Sequence, residues 1–215
     1  MKIGLTIFLT DYCIHVVSLA RRAEALGFES LWLPEHPIIP VHSATPWPGA
    51  ADGEMPQYYR ETVDPFVALA HASAVTTRLK IATGICLLPE RDPLVLAKQV
   101  ASLDYFSGGR FIFGIGVGWL REETEIMGGD FDHRWTQAKE SVMAMKALWT
   151  DAVSEFHGKY YDFPPVHSFP KPAQRPHPPV ILAGTAANVH KRIVDWGDGW
   201  LPIRISPEEV RAGRE

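Results

Sequence analysis

Short apolar runs alternate with stretches in which apolar residues recur every three or four positions, and this alternation continues almost to the end of the chain. The runs predict buried strands and the periodic stretches predict amphipathic helices. IGLTIF (residues 3–8) reads as a strand, and VVSLARRAEALG carries helical spacing that stops at Gly27. SLWLPEH is a second strand, ended by Pro34. Residues 36–60 are rich in Pro and Gly and have no period of their own; a loop of that length inside a compact domain tends to be functional. DPFVALAHASAVTT then reads as a helix with Asp64 as N-cap and Pro65 in its first turn. LKIATGICLLP is a third strand, DPLVLAKQVASLDYFSGG a helix with the same Asp-Pro opening, and RFIFGIGVG a fourth strand.

A longer helical region ends near SVMAMKALWTD, and the Pro-rich segment after it predicts a small hairpin at FHGKYYDF followed by a linker. PVILAG is a fifth strand, AANVHKRIVDWG a helix, DGWLPI a sixth strand, and SPEEVRAGRE opens a further helix. Regular strand–helix alternation predicts a parallel sheet, either an open doubly wound sheet or a (β/α)8 TIM-type barrel. A complete barrel runs to about 250 residues. As a barrel, residues 1–215 would form a single α/β domain with about six of its eight units, lacking the last two; periodicity alone leaves both architectures open.

Composition changes this picture little. With 46% hydrophobic and 21% charged residues the chain is an ordinary globular one, and its formal charge of −4 gives no reason to expect a nucleic-acid partner. Cys13 and Cys86, far apart and outside any Cys-x-x-Cys, argue against a disulfide framework and a structural zinc site. No apolar stretch reaches membrane-spanning length and the N-terminus has no signal-like cleavage region, so a cytoplasmic protein without a membrane partner is expected.

Candidate chemistry sits where strands end, because loops and helix N-termini converge there in parallel α/β folds. LPEH puts Glu35 and His36 directly after the second strand. An imidazole there can act as acid or base; the plainer alternative is a histidine that caps a loop carbonyl. The remaining histidines form no His-x-His or His-Glu-x-x-His pattern, so no metal site is expected. Gly84 interrupts an otherwise apolar strand, which points to a bulge or a close backbone approach. Gly114, Gly116 and Gly118 fall on one side of a strand and leave a flat strip for a planar ring or for a neighbour's backbone. Their spacing differs from the dinucleotide fingerprint, which excludes an NAD-type reading. Gly184 and Thr185 end a strand and open a helix, an arrangement that serves either as an anion site or as a routine cap.

Taken together, the stretches ALGFESLWLPEH, YYRETVDPFVALAHASAVTTRLKIATGICLLPERDPLVLAKQVASLDYFSGGRFIFGIGVGWLREE, ALWTDAVSEFHGKYYDFPPV and RPHPPVILAGTAANVHKRIVDWGDGWLPI resemble the luciferase-like monooxygenase family, most closely its F420-dependent oxidoreductases. The resemblance implies a (β/α)8 barrel whose C-terminal mouth holds coenzyme F420 or, alternatively, FMN. It implies that His36 lies beside the reactive part of the ring, with Glu35 next to it in a position where many deazaflavin relatives carry Asp. Thr83, Gly84 and Ile85 would form a bulge behind the ring, where relatives often have a non-prolyl cis peptide. Gly116, Gly118 and Trp119 would flank the cofactor, and Gly184, Thr185 and Asn188 would hold its phosphate. A small organic substrate and a homodimer are the implied partners. The implied activity is hydride exchange between F420 and that substrate, with FMN-dependent monooxygenation or a non-catalytic flavin-binding protein as alternatives.

Overall fold

The computed structural model describes residues 2–213. In chain order its elements are β1 (Gly4–Thr6), α1 (Val16–Ala25), β2 (Ser30–Leu33), α2 (Pro65–Ala74), β3 (Lys80–Thr83), β4 (Cys86–Leu87), α3 (Pro93–Ser107) and β5 (Phe111–Gly116). They continue with α4 (Arg121–Ile126), α5 (Arg134–Thr150), β6 (Ser154–His157), β7 (Asp162–Val166), β8 (Val180–Ala183), α6 (Val189–Trp196), β9 (Gly199–Leu201) and α7 (Pro207–Ala212). Short 3-10 turns at Gln57–Arg60 and Leu88–Glu90 lie in the connections.

The helices begin where local chemistry says they should. Asp64 Oδ1 accepts the Val67 amide at 2.9 Å, and Asp92 Oδ1 accepts those of Leu94 and Val95 at 2.9 and 3.0 Å. Each Asp is followed by a proline whose missing N–H leaves no donor unsatisfied in the first turn. Helix α3 stops at Gly108, which takes the left-handed conformation with φ 69°. The last expected helix forms over Pro207–Ala212 with a Ser206/Glu209 capping box; the final two positions of that expectation lie outside the described residues.

The strands lie side by side in the order β1-β2-β3-β5-β8-β9, every neighbouring pair parallel, with β4 also paired to β5. A doubly wound sheet reverses its strand order at a switch point, and no reversal occurs here. The sheet is therefore a half-barrel of six strands, an incomplete TIM-type barrel. The expected hairpin forms as the antiparallel pair β6–β7. The third strand, expected to be continuous, is broken: β3 ends at Thr83, the Gly84–Ile85 peptide bond is cis, and β4 resumes at Cys86.

Phe111, Phe113, Leu31, Ile81 and Val180 form the buried centre of the sheet, and α5 closes over it with Ala138, Val142, Met145 and Trp149 on one helical stripe. The Trp149 indole N–H donates to Ala97 O at 3.0 Å and so ties α5 to α3. At the N-terminal ends of the strands, Glu24 Oε1 accepts the amides of Thr77, Arg78 and Leu79, and the Arg110 guanidinium donates to the carbonyls of Ser73, Thr76 and Leu79. That end is closed by polar contacts, which leaves the C-terminal end for a ligand. No helix among the described residues is long and apolar enough to cross a membrane.

Candidate active site at the barrel mouth

A cleft of about 590 Å³ opens at the C-terminal ends of the strands. This volume falls within the range of about 300–1,000 Å³ common to small-molecule and cofactor sites. Its walls are mainly aromatic and apolar: Phe8 after β1, Ile85 and Leu87 after β3, Val117 and Trp119 after β5, Ile203 after β9, and Trp135 from α5. The roof comes from the long loop after β2. That loop turns Trp47 and Tyr59 against each other, with ring centroids 5.4 Å apart. It is held from two sides. Glu122 Oε1 accepts the Ala44 and Thr45 amides at 2.6 and 3.2 Å, and Arg204 lies over the Trp47 ring and donates to Pro48 O at 3.0 Å.

Of the residues singled out from the sequence, Glu35, His36, Gly84, Ile85, Gly116, Gly118, Trp119, Gly184 and Thr185 border this one cleft. Two do not. Thr83 is fully buried, its hydroxyl donating to Gly114 O at 2.7 Å. Asn188 lies at the N-terminus of α6, beside a neighbouring depression with Lys191 and Arg192, and its side chain does not cap the helix.

His36 and Glu35 are adjacent in sequence and part company in space, as successive side chains of an extended segment must. The Glu35 carboxylate is 1% exposed and engaged by Arg91, with Nε to Oε1 at 2.9 Å and Nη2 to Oε2 at 2.8 Å; Oε1 also accepts the Leu87 amide at 3.3 Å. His36 faces the cleft beside Tyr59 and Trp119, with ring centroids at 5.4 and 6.0 Å. Its Nδ1 lies 2.7 Å from Glu123 Oε2, on a side chain that is wholly buried. With Nδ1 so engaged, Nε2 is the nitrogen left for a ligand.

The glycine strip has a different occupant from a planar ring. A Cβ at Gly114 would collide with the Thr83 carbonyl oxygen, and one at Gly116 would collide with the end of Ile85. Both glycines make room for the bulge after β3. Gly118 is not on the strand at all: β5 ends at Gly116, and Gly118 turns the chain with φ 74°. The expectation of three glycines on one strand face is thus corrected to two, and the cleft lies over the bulge that they admit.

Glu90 and Glu123 are the charged residues that sequence reading passed over. Glu90 is buried, accepts the Thr124 hydroxyl on Oε1 at 3.0 Å, and leaves Oε2 without a partner. Burial, reinforced by the nearby Glu123 charge, pushes its carboxyl up to about 8. Between pH 5 and 8 the folded protein then holds a proton that the unfolded chain has released, so this group's contribution to stability declines as pH rises through that window. Glu90→Gln is expected to flatten the decline, gaining on the order of 2 kcal/mol over wild type at pH 8. Urea titrations at pH 5 and pH 8 read it directly, and equal midpoint losses in both proteins would refute it.

Comparison with known proteins gives the family and the fold. Residues 12–215 match the family model described as luciferase-like monooxygenase. The chain is 41% identical over 213 residues to the uncharacterized protein Rv0953c of Mycobacterium tuberculosis, a match that covers 98% of this chain and 74% of that one. It is 33% identical over 157 residues to the FMNH2-dependent dimethylsulfone monooxygenase of Pseudomonas putida, covering 68% and 43% of the two chains. Among solved structures, monooxygenase RslO1 from Streptomyces bottropensis superposes with a TM-score of 0.81 at 27% identity; 99% of this chain matches 63% of that one. An F420-dependent secondary alcohol dehydrogenase in complex with an F420–acetone adduct shares the fold, with a TM-score of 0.76 at 22% identity and coverage of 99% and 63%.

Proposed function

Because the chain belongs to the luciferase-like monooxygenase family, we propose that it is an oxidoreductase that exchanges a hydride between coenzyme F420 and a small organic substrate bound in the cleft. The observation that carries this reading is His36, held at Nδ1 by Glu123 and facing an aromatic cleft at the strand ends. A (deaza)flavin fits the residues present. The cleft has the volume for a tricyclic ring, its walls are aromatic, and Gly184 leaves open space where a Cβ would stand. Gly184 and Thr185, with Asn188 and the first amides of α6 beyond them, are the residues that would take the phosphate. When bound, the cofactor supplies the hydride chemistry.

The protein's own part is proton transfer and shelter. For an alcohol substrate, the C–H hydrogen leaves as hydride while the O–H bond breaks toward His36 Nε2, which gains the proton as the carbonyl forms; reduction runs the same transfers backwards. Trp47 and Tyr59 in the roof, with Trp119, keep water from the reacting atoms. Glu35 in this reading is paired with Arg91 and does not touch the substrate. A homodimer, implied by the family resemblance, completes the proposal and is read by light scattering.

The second reading is FMN-dependent monooxygenation, supported by the identity to the dimethylsulfone monooxygenase. Separate titrations with F420 and with FMN, followed by cofactor fluorescence, discriminate the two. Binding of F420 alone favours the first reading and binding of FMN alone the second; binding of neither to the folded chain sinks both. With the cofactor that binds, His36→Ala is expected to lower kcat about a hundredfold with binding retained. Unchanged turnover would remove His36 from the chemistry.

A further inference from the structure

Behind His36 lies a second layer that the proposed proton transfer does not itself use. Glu123 is wholly buried on α4, with Oε2 on His36 Nδ1 at 2.7 Å and Oε1 without any partner. A buried carboxylate ordinarily needs a cation or several N–H donors. The charged groups that face it are otherwise committed. Arg91 is taken by Glu35 in a bidentate pair and by Asp64 at 3.2 Å, and Glu122 holds the Ala44 and Thr45 amides. Glu90 is a further acid, tied to the Thr124 hydroxyl. Among the described residues no Lys or Arg bonds Glu123, so the imidazole is its polar partner.

Two hydrogen assignments fit that contact: an ionised Glu123 accepts from Nδ1–H, and a neutral one donates its carboxyl proton to Nδ1. The first leaves the Nε2 lone pair free, as the proposed proton transfer requires.

We propose that Glu123 is a positioning residue, which locks His36 as the Nδ1–H tautomer and so keeps the Nε2 lone pair aimed into the cleft. It acts through His36 and touches neither substrate nor cofactor. A neutral ring of the other tautomer would present an N–H to the cleft and could take no proton from a substrate hydroxyl. When Nε2 is protonated, the resulting imidazolium is paired with Glu123 at no rearrangement of the site. The identity of the reaction rests on the proposed function, whereas the tautomer is a property of the chain alone.

The test is long-range 1H–15N correlation on the full chain carrying 15N-labelled histidine, with the His36 signals assigned by their loss in His36→Asn. In wild type the neutral ring is expected to carry its proton on Nδ1. In Glu123→Leu that proton loses its acceptor, and the Nε2–H form, which an unconstrained histidine side chain prefers, is expected to rise from a minor share to more than half. Glu123→Gln, whose amide oxygen can accept the same proton, is expected to restore the Nδ1–H form. A wild-type ring protonated on Nε2 would overturn the assignment, even if the Leu variant failed to fold. A tautomer unchanged in Glu123→Leu would reduce Glu123 to a packing role. Since no cofactor is needed, an Nδ1–H ring in a chain that binds neither F420 nor FMN would refute the proposed function and leave this inference standing; the converse result would do the opposite.

Discussion

Arg91→Met is expected to lower the stability of the fold by about 3–5 kcal/mol, the usual consequence of removing one partner from a buried ion pair. Glu35 is left with only the Leu87 amide at 3.3 Å, inside a site where its side chain is 1% exposed. Arg91 also bonds Asp64, the N-cap of α2, and lies over the Phe66 ring at 5.0 Å, so its loss loosens the junction of β2, α2 and the turn before α3. The abandoned carboxyl will prefer to be neutral, and its folded-state pKa will lie above the unfolded one. The variant should then lose stability as pH rises above the ordinary carboxylate range, and the gap to wild type should be smaller at pH 5 than at pH 8. Replacing both partners, as Glu35→Leu with Arg91→Met, should recover most of the loss, because an apolar pair of similar volume often substitutes for a buried ion pair. Denaturant midpoints of the four proteins complete the cycle. A loss below 1 kcal/mol in the single variant would mean that water reaches Glu35.

Gly114→Ala comes next in size, with an expected loss of about 3 kcal/mol or more and a soluble yield that falls accordingly. The added methyl would meet the Thr83 carbonyl oxygen, which is backbone and already accepts no room to move: Thr83 is fully buried, and its hydroxyl is bonded to Gly114 O itself. Gly116→Ala provides the contrast. Its methyl would meet the tip of the Ile85 side chain, which can turn aside, so a loss of about 1 kcal/mol is expected. Equal losses at the two positions would show that the bulge after β3 adjusts as a whole. Thermal unfolding of both variants decides between these outcomes.

Those glycines also mark how far the sequence could be read. Helix starts at Asp64 and Asp92 were legible because a cap is a local interaction between residues two or three apart. The barrel was legible as strand–helix repetition, and the strand order then excluded the open sheet. The spacing of Gly114 and Gly116 correctly announced a close approach, but spacing alone does not say what approaches: here it is the Thr83 carbonyl at Gly114 and the Ile85 side chain at Gly116. Gly118 continued the same spacing past the point where the strand ends. The importance of Glu123 and Glu90 was not legible. GWLREE reads as an ordinary acidic helix start, and the partner of Glu123 lies 87 residues away. Glu35 and Arg91 are 56 residues apart, and only the folded chain brings the strand-end carboxylate onto a guanidinium.

The two neighbouring carboxylates of α4 have a consequence for how this mouth can be remodelled. Glu123 grips His36 and Glu122 grips Ala44 and Thr45, so the segment from 36 to 45 is clamped at both ends by adjacent residues of one short helix. It forms a fixed hinge plate. The chain beyond it, from residue 46 to the Gln57–Arg60 turn, can be exchanged for a loop of different length or aromatic content while the plate keeps the imidazole in register. Substrate range and proton chemistry are thereby separable in this architecture. A library randomised only between those limits would change which molecules enter without having to rediscover the histidine's alignment.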